Sequence, residues 1–216
     1  HDSFTGVPGS FEIACKAIRM CKEAGLVADV NCVLSEAEAK SGGLEKIMDM
    51  AKDLDADYVQ LIHPKPAGKW LGKKDGMLME PGLIEHIRNE HIRYNSSSMH
   101  NYPSLAAQVF EEAESILGCT CGGIDRFYVN AYGEVQPCEF LNISFGNVQN
   151  EPFEDIYNRM RSYFKMPGTD WMCCAKASEI DEKFRENNLT HTPLPKEITL
   201  ELVKNWDWKF LPAQNA

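Results

Sequence analysis

Apolar residues recur at helical spacing from Phe11 through Ala14, Cys15, Ile18 and Cys21. Ser10 is placed to cap this run and Gly25 to end it, so the spacing predicts a helix. Cys15 and Cys21 then lie on the buried stripe, where a thiol behaves as a small hydrophobe. From Leu26 to Leu34 the period drops to two. Leu26, Ala28, Val30, Cys32 and Leu34 share one face, and Val27, Asp29, Asn31 and Val33 the other, which predicts a strand with one polar side. Past Ser35 to Gly43, the residues Leu44, Ile47, Met48, Ala51 and Leu54 line one side of a second helix, and Tyr58 to Ile62 reads as a second strand. Helix, strand, helix, strand at this spacing predicts βα units with parallel pairing. In such barrels functional groups gather at the C-terminal ends of strands, which makes Asn31, Gln60 and His63 the candidates to touch a ligand. Each has a plain alternative: Asn31 and Gln60 as structural hydrogen-bonding groups, His63 as a loop residue ahead of Pro64.

The run from His63 to Met79 is rich in Pro, Gly and Lys and reads as a loop or linker, with a domain boundary near residue 80 or 100. Two amphipathic segments follow, Pro81 to Tyr94 and Leu105 to Leu117, the second with Ala106, Val109, Phe110, Ala113 and Ile116 on its apolar side. Asp125 to Asn130 alternates as a strand, Gly133 supplies the positive φ of a tight turn, and Glu134 to Gln136 returns as a second strand. Gly146 and Asn147 read as a turn. Pro152 suits the first turn of a helix burying Phe153, Ile156, Tyr157, Met160 and Phe164. A further helical stretch surrounds Ile180 and Phe184, and the tail ends in Pro193, Pro195, Trp206, Trp208 and Phe210, aromatics expected to pack the terminus onto its own domain. His86, His91 and His100 are dispersed without metal-ligand spacing.

A chain of 216 residues buries a substantial core without help from metals or disulfides, so its eight cysteines need another reason. A hydrophobic share of 44% and a charged share of 25% are ordinary for globular proteins. The net charge of -10, with no Lys/Arg-rich stretch, argues against nucleic acid as a partner. No apolar run approaches a membrane span and no basic-then-apolar leader opens the chain, so no membrane partner and a cytoplasmic, reducing location are expected.

The candidate chemistry lies in GCTCGGIDRFYVNAYGEVQPC, Gly118 to Cys138, and in the pair Cys173 and Cys174. A hairpin turning at Gly133 brings Cys138 back toward Cys119 and Cys121, as a metal site built from separate segments requires. Thiolates bind iron-sulfur clusters and zinc alike, and spacing alone leaves iron, zinc and ordinary thiols open. C-T-C and an adjacent pair, in place of C-x2-C knuckles, weigh against zinc.

Gly118-Cys119-x-x-Gly122, Gly133-Glu-Val-Gln-Pro-Cys138 and Phe145-Gly146-Asn147-Val148 resemble the auxiliary-cluster domain, called SPASM or in shortened form twitch, of radical S-adenosylmethionine (radical SAM) enzymes. The likeness covers residues 105 to 175 well. It extends more loosely over the preceding hundred, where HDSFTGVPGSFEIACKAIRMCKEAGL, VNCVLS and YVQLIHPKPAGKW look like the second half of the radical-enzyme barrel. It implies an α/β fold: a partial parallel (β/α) barrel over 1–80, a helical connector over 81–117, a small α+β auxiliary-cluster domain with a β-hairpin over 118–190, and a tail over 191–216. The cysteine run for a second cluster is missing, so the one-cluster form is implied, with an auxiliary 4Fe-4S cluster on four of Cys119, Cys121, Cys138, Cys173 and Cys174. Cys119 fits the family position, since Gly122 follows at the usual distance, and Cys121 is a second ligand or a neighbour. Of the adjacent pair one is expected to bind, with Cys174 favoured. Asn31 and Gln60 would help line the S-adenosylmethionine and substrate cavity. A small-molecule or peptide substrate and an electron donor such as flavodoxin or ferredoxin would be the partners.

The family's radical-generating cluster uses C-x3-C-x2-C, and that trio does not occur in these residues. Together with an opening at His1 inside what reads as a loop, this gives the expectation of the C-terminal part of a radical SAM oxidoreductase or maturase, inactive by itself. The competing expectation is a zinc- or cluster-stabilised binding module without catalytic activity.

Overall fold

The structure, a computed structural model, describes residues 1–72 and 80–212. Residues 73–79 of the expected linker and 213–216 of the expected tail lie outside the described residues. The described chain divides into two units, one of residues 1–64 and 80–110, the other of 65–72 and 111–212.

In the first unit a short helix, Asp2–Thr5 (α1), precedes Ser10–Glu23 (α2). Ser10 is the first helical residue and not the cap. Gly9 holds that position in the left-handed region, and the Asp2 carboxylate accepts the N–H groups of Gly9 at 2.6 Å and Phe11 at 2.8 Å. A distant carboxylate thus does the capping that sequence assigned to the local serine. The helix buries Cys15, while Cys21 is only half-buried and Phe11 is exposed, so the apolar stripe is covered in part.

Strand β1 covers Asp29–Val33, shorter than the alternating run. The stretch before the next helix, to which no element was assigned, contains Glu36–Lys40 (α3). Ser35 makes a capping box there, its hydroxyl accepting the Glu38 N–H while Glu38 accepts the Ser35 N–H. Ser35→Ala is expected to cost about 1 kcal/mol, visible as a lower urea midpoint for the first unit at unchanged slope. Gly43–Asp53 (α4) then buries Leu44, Met48 and Ala51, as its periodicity predicts, and leads to β2, Tyr58–Ile62.

After Pro81–Tyr94 (α5) comes the main departure from the sequence reading. Ser104–Ala107 is not helical but a third strand, β3, and only Gln108–Glu111 (α6) of the expected 105–117 helix is helical. The sheet order is β1-β2-β3, parallel throughout, with Val30, Val59 and Leu105 in one register row and Asn31, Gln60 and Ala106 in the next. Leu105, Ala106 and Ala107 are all buried, and a strand buried on both faces loses the alternation that would have marked it. Helix α4 packs on β2 and α5 on β3, closing the apolar face on which Val59 and Leu61 are buried.

The second unit contains the antiparallel pair β4, Tyr128–Val129, and β5, Val135–Gln136, with Gly133 at φ 85° in the turn between them. Helices follow at Phe153–Arg161 (α7), Met172–Ala175 (α8), Ala177–Glu186 (α9) and Lys196–Lys204 (α10). The last lies in the terminal tail, where no helix was assigned. It buries Thr199, Leu202 and Val203, and Leu194 ahead of it exchanges backbone hydrogen bonds with Asn142 and Ser144. Phe145, Leu141, Ile143, Ile156 and Met160 form the fully buried centre, and the terminal Trp206 joins them. Among the described residues no helix is long and apolar enough to cross a membrane.

Candidate metal centre

Three short segments of the second unit bring the cysteines together. Cys119 is fixed by an antiparallel bridge in which it exchanges N–H···O=C bonds with Gly168 at 2.9 and 2.8 Å. Cys138 is returned by the β4–β5 hairpin, where the Gly122 N–H donates to the Pro137 carbonyl at 2.9 Å. Cys173 and Cys174 sit side by side on α8, roughly 100° apart around a helical turn. Cys119, Cys121, Cys138 and Cys173 are all buried in one core cluster, and half-buried Cys174 packs against it.

The thiols interact as a set. The sulfurs of Cys119 and Cys121 stand 3.5 Å apart and share a hydrogen bond. Cys119 is lowered to about 6, first by that bond and then, against the cost of burial, by the N–H groups of Met172 and Cys121 aimed at its sulfur. Cys121 is pushed upward as the bonded partner of Cys119 and Cys138. In the second pair the bond between them raises Cys173 and lowers Cys174. Charge on Cys138 is felt at Cys173, and charge on Cys119 at Cys174, so the two groups of thiols lie within electrostatic reach. Among the described residues no three Cys, His, Asp or Glu side chains already surround one point at metal-ligand geometry. The thiols instead pair within two groups, Cys121 with Cys119 and Cys138, and Cys173 with Cys174. An all-thiol donor set with two thiols already biased toward thiolate fits a soft centre such as an iron-sulfur cluster.

The remaining cysteines stand apart. Cys32 is pushed up to about 12 by burial in the first unit, which makes it an inert thiol. The histidines are elsewhere too: His91 stacks on Phe110 at 4.1 Å, and His86 lies 3.5 Å from Glu45.

Asn31 and Gln60 are register partners on the same sheet face, Asn31 exposed and Gln60 half-buried. They lie at mid-strand and not at the C-terminal ends, because β1 and β2 extend two residues beyond each. His63, directly after β2, is buried, and its N–H donates to Gln108 Oε1 at 3.2 Å. Gln108, directly after β3, is itself buried, and sequence reasoning missed it with the strand. Lys65 was missed as well. Its setting, Pro64-Lys65-Pro66, reads as solvated loop, yet the residue enters the second unit and is buried there.

Residues 119–176 match the SPASM family, described as an iron-sulfur cluster-binding domain. The chain is 25% identical over 182 residues to an AdoMet-dependent heme synthase of Nitratidesulfovibrio vulgaris, covering 76% of this chain and 49% of that protein. To the AdoMet-dependent heme synthase of Methanosarcina barkeri it is 23% identical over 186 residues, covering 77% and 52%. The antilisterial bacteriocin subtilosin biosynthesis protein AlbA of Bacillus subtilis is 23% identical over 160 residues, covering 73% and 34%. The chain spans about half the length of the two heme synthases, and about a third of AlbA.

Proposed function

We propose, for a SPASM-bearing relative of the radical SAM enzymes, that Cys119, Cys121, Cys138 and Cys174 hold an auxiliary 4Fe-4S cluster. The observation that carries this reading is that Cys119, Cys121 and Cys138 share one buried core against which half-buried Cys174 packs, supplied by a bridge, a hairpin and a one-turn helix. When bound, such a cluster supplies one-electron transfer. The chain's own part is to present the sulfurs, exclude water from them and fix their spacing. The Cys121 thiol and then the Met172 and Cys121 N–H groups bias Cys119 toward thiolate, and the Cys173 thiol biases Cys174 the same way.

The three-stranded parallel sheet is the part of a (β/α) barrel expected to line a cavity, with Asn31 and Gln60 side by side on it. In the complete enzyme these residues would contact S-adenosylmethionine or substrate. The reaction class is radical SAM oxidation or maturation of a peptide or small metabolite, with electrons from a flavodoxin or ferredoxin. The relatives support this range, since they include AdoMet-dependent heme synthases and a bacteriocin biosynthesis protein.

Anaerobic reconstitution with iron and sulfide tests the reading. About four irons and four sulfides per chain are expected, with a brown colour. Tight zinc in place of iron after anaerobic isolation would overturn it. Because residues 1–216 contain no C-x3-C-x2-C, the loaded chain with dithionite is expected to form no 5′-deoxyadenosine from S-adenosylmethionine, as chromatography would establish. Product from this chain alone would show that another group performs the cleavage.

A further inference from the structure

Lys65 is 5% exposed, and its Nζ has no hydrogen-bond acceptor among the described residues. The segment around it is pinned. The Ala67 N–H donates to the Lys65 carbonyl at 2.9 Å, and the Gly68 N–H to Asn142 Oδ1 at 3.1 Å. The ammonium lies over the Trp171 ring, 2.7 Å from its centroid, and Trp171 caps the turn that carries Cys173 and Cys174. A ring face attracts a cation but does not replace the acceptors it loses on leaving water. Burial pulls the Lys65 pKa down, and charge on Cys173, Glu112, Cys174 and Cys119 opposes that pull. Glu112 is already engaged, 2.5 Å from Arg126, which also bonds Thr120. No carboxylate stands within 4 Å of Lys65 among the described ion pairs. Cys173 is thus the foremost charge acting on this ammonium, and Glu112, the next, is already paired with Arg126.

Resting on the cluster reading above, we propose that Lys65 is the counter-charge of the bound cluster, donating from Nζ to a cluster or thiolate sulfur and raising its reduction potential. A thiolate-held cube is net negative in both redox states and gains one more negative charge on reduction. A fixed cation beside it therefore stabilises the reduced form more than the oxidised one. Charge and hydrogen bonds at the sulfurs are the features through which a protein sets such a potential.

The experiment is an EPR-monitored redox titration of the reconstituted chain and of its Lys65→Met, Lys65→Gln and Lys65→Arg variants. The two neutral variants are expected to bind as much iron and sulfide as the unsubstituted chain. Their one-electron equilibrium should move at least tenfold toward the oxidised form, a potential about 59 mV lower. Lys65→Arg should recover at least half of that shift. An iron-loaded Lys65→Met variant whose equilibrium lies within twofold of the original would overturn the role of Lys65 and leave the cluster standing. An unsubstituted chain that takes up no iron would overturn the cluster and this role with it. Should both neutral variants lose the cluster, retention by Lys65→Arg supports a requirement for charge, and loss by all three counts against it.

Discussion

Cys138→Ala is expected to abolish stable iron uptake while leaving the second unit folded. The residue is buried in the core cluster, and its thiol engages Cys121 and lies within reach of charge on Cys173. Its backbone position is held independently of that sulfur, by the Gly122 N–H on the Pro137 carbonyl and by the hairpin register Tyr128↔Gln136. Truncation to alanine therefore removes one ligand atom and little of the framework. Loss of outer-shell partners alone costs about 10–100-fold in metal affinity, so loss of a ligand should lower retained iron on the order of 100-fold or more. Cys15→Ala and Cys32→Ala, both in the first unit, should retain the full iron content. Iron and sulfide analysis after gel filtration, with circular dichroism to establish folding, separates these outcomes. A Cys138→Ala chain that keeps its iron would remove Cys138 from the ligand set.

Gly122→Ala should damage the fold itself. Gly122 has φ +77°, and a Cβ there would stand 2.0 Å from Phe164 Cγ and 2.4 Å from Phe164 Cβ. Phe164 has no room to yield, being 2% exposed and packed edge-on to Phe145 at 5.9 Å and Trp208 at 4.9 Å. A left-handed backbone at a residue with a side chain costs about 1–3 kcal/mol. Overpacking a filled core adds about 1–3 kcal/mol. Against the total stability of a domain, about 5–15 kcal/mol, the sum is a large fraction. A melting temperature lower by about 10 °C or more is expected, with iron binding lost because Gly122 also ties the Cys121 segment to Pro137. Adding Phe164→Ala should recover part of the loss, as contacting positions couple in a double-mutant cycle. A Gly122→Ala chain that melts with the unsubstituted protein would refute the clash.

Several features were legible in the sequence because they depend on neighbours a few residues apart. The period-two run around Asn31, the helical face of Leu44, Met48 and Ala51, the turn at Gly133 and the thiol chemistry of Gly118 to Cys138 all belong to this class. Local spacing sets which faces are apolar, and local φ preferences set where a hairpin turns. Other features were decided only in three dimensions. Leu105 to Ala107 carries a helical pattern and becomes a strand because β2 offers parallel hydrogen bonds and both faces are covered. The carboxylate of Asp2 takes over the cap that Ser10 was expected to supply. Lys65, between two prolines and polar by type, is buried on Trp171 more than a hundred residues away in the chain, and Cys138 meets Cys121 only through the hairpin. Contacts between segments distant in sequence leave no periodic trace in either one. Burial, hydrogen-bond partnership and local charge at such sites belong to the tertiary structure.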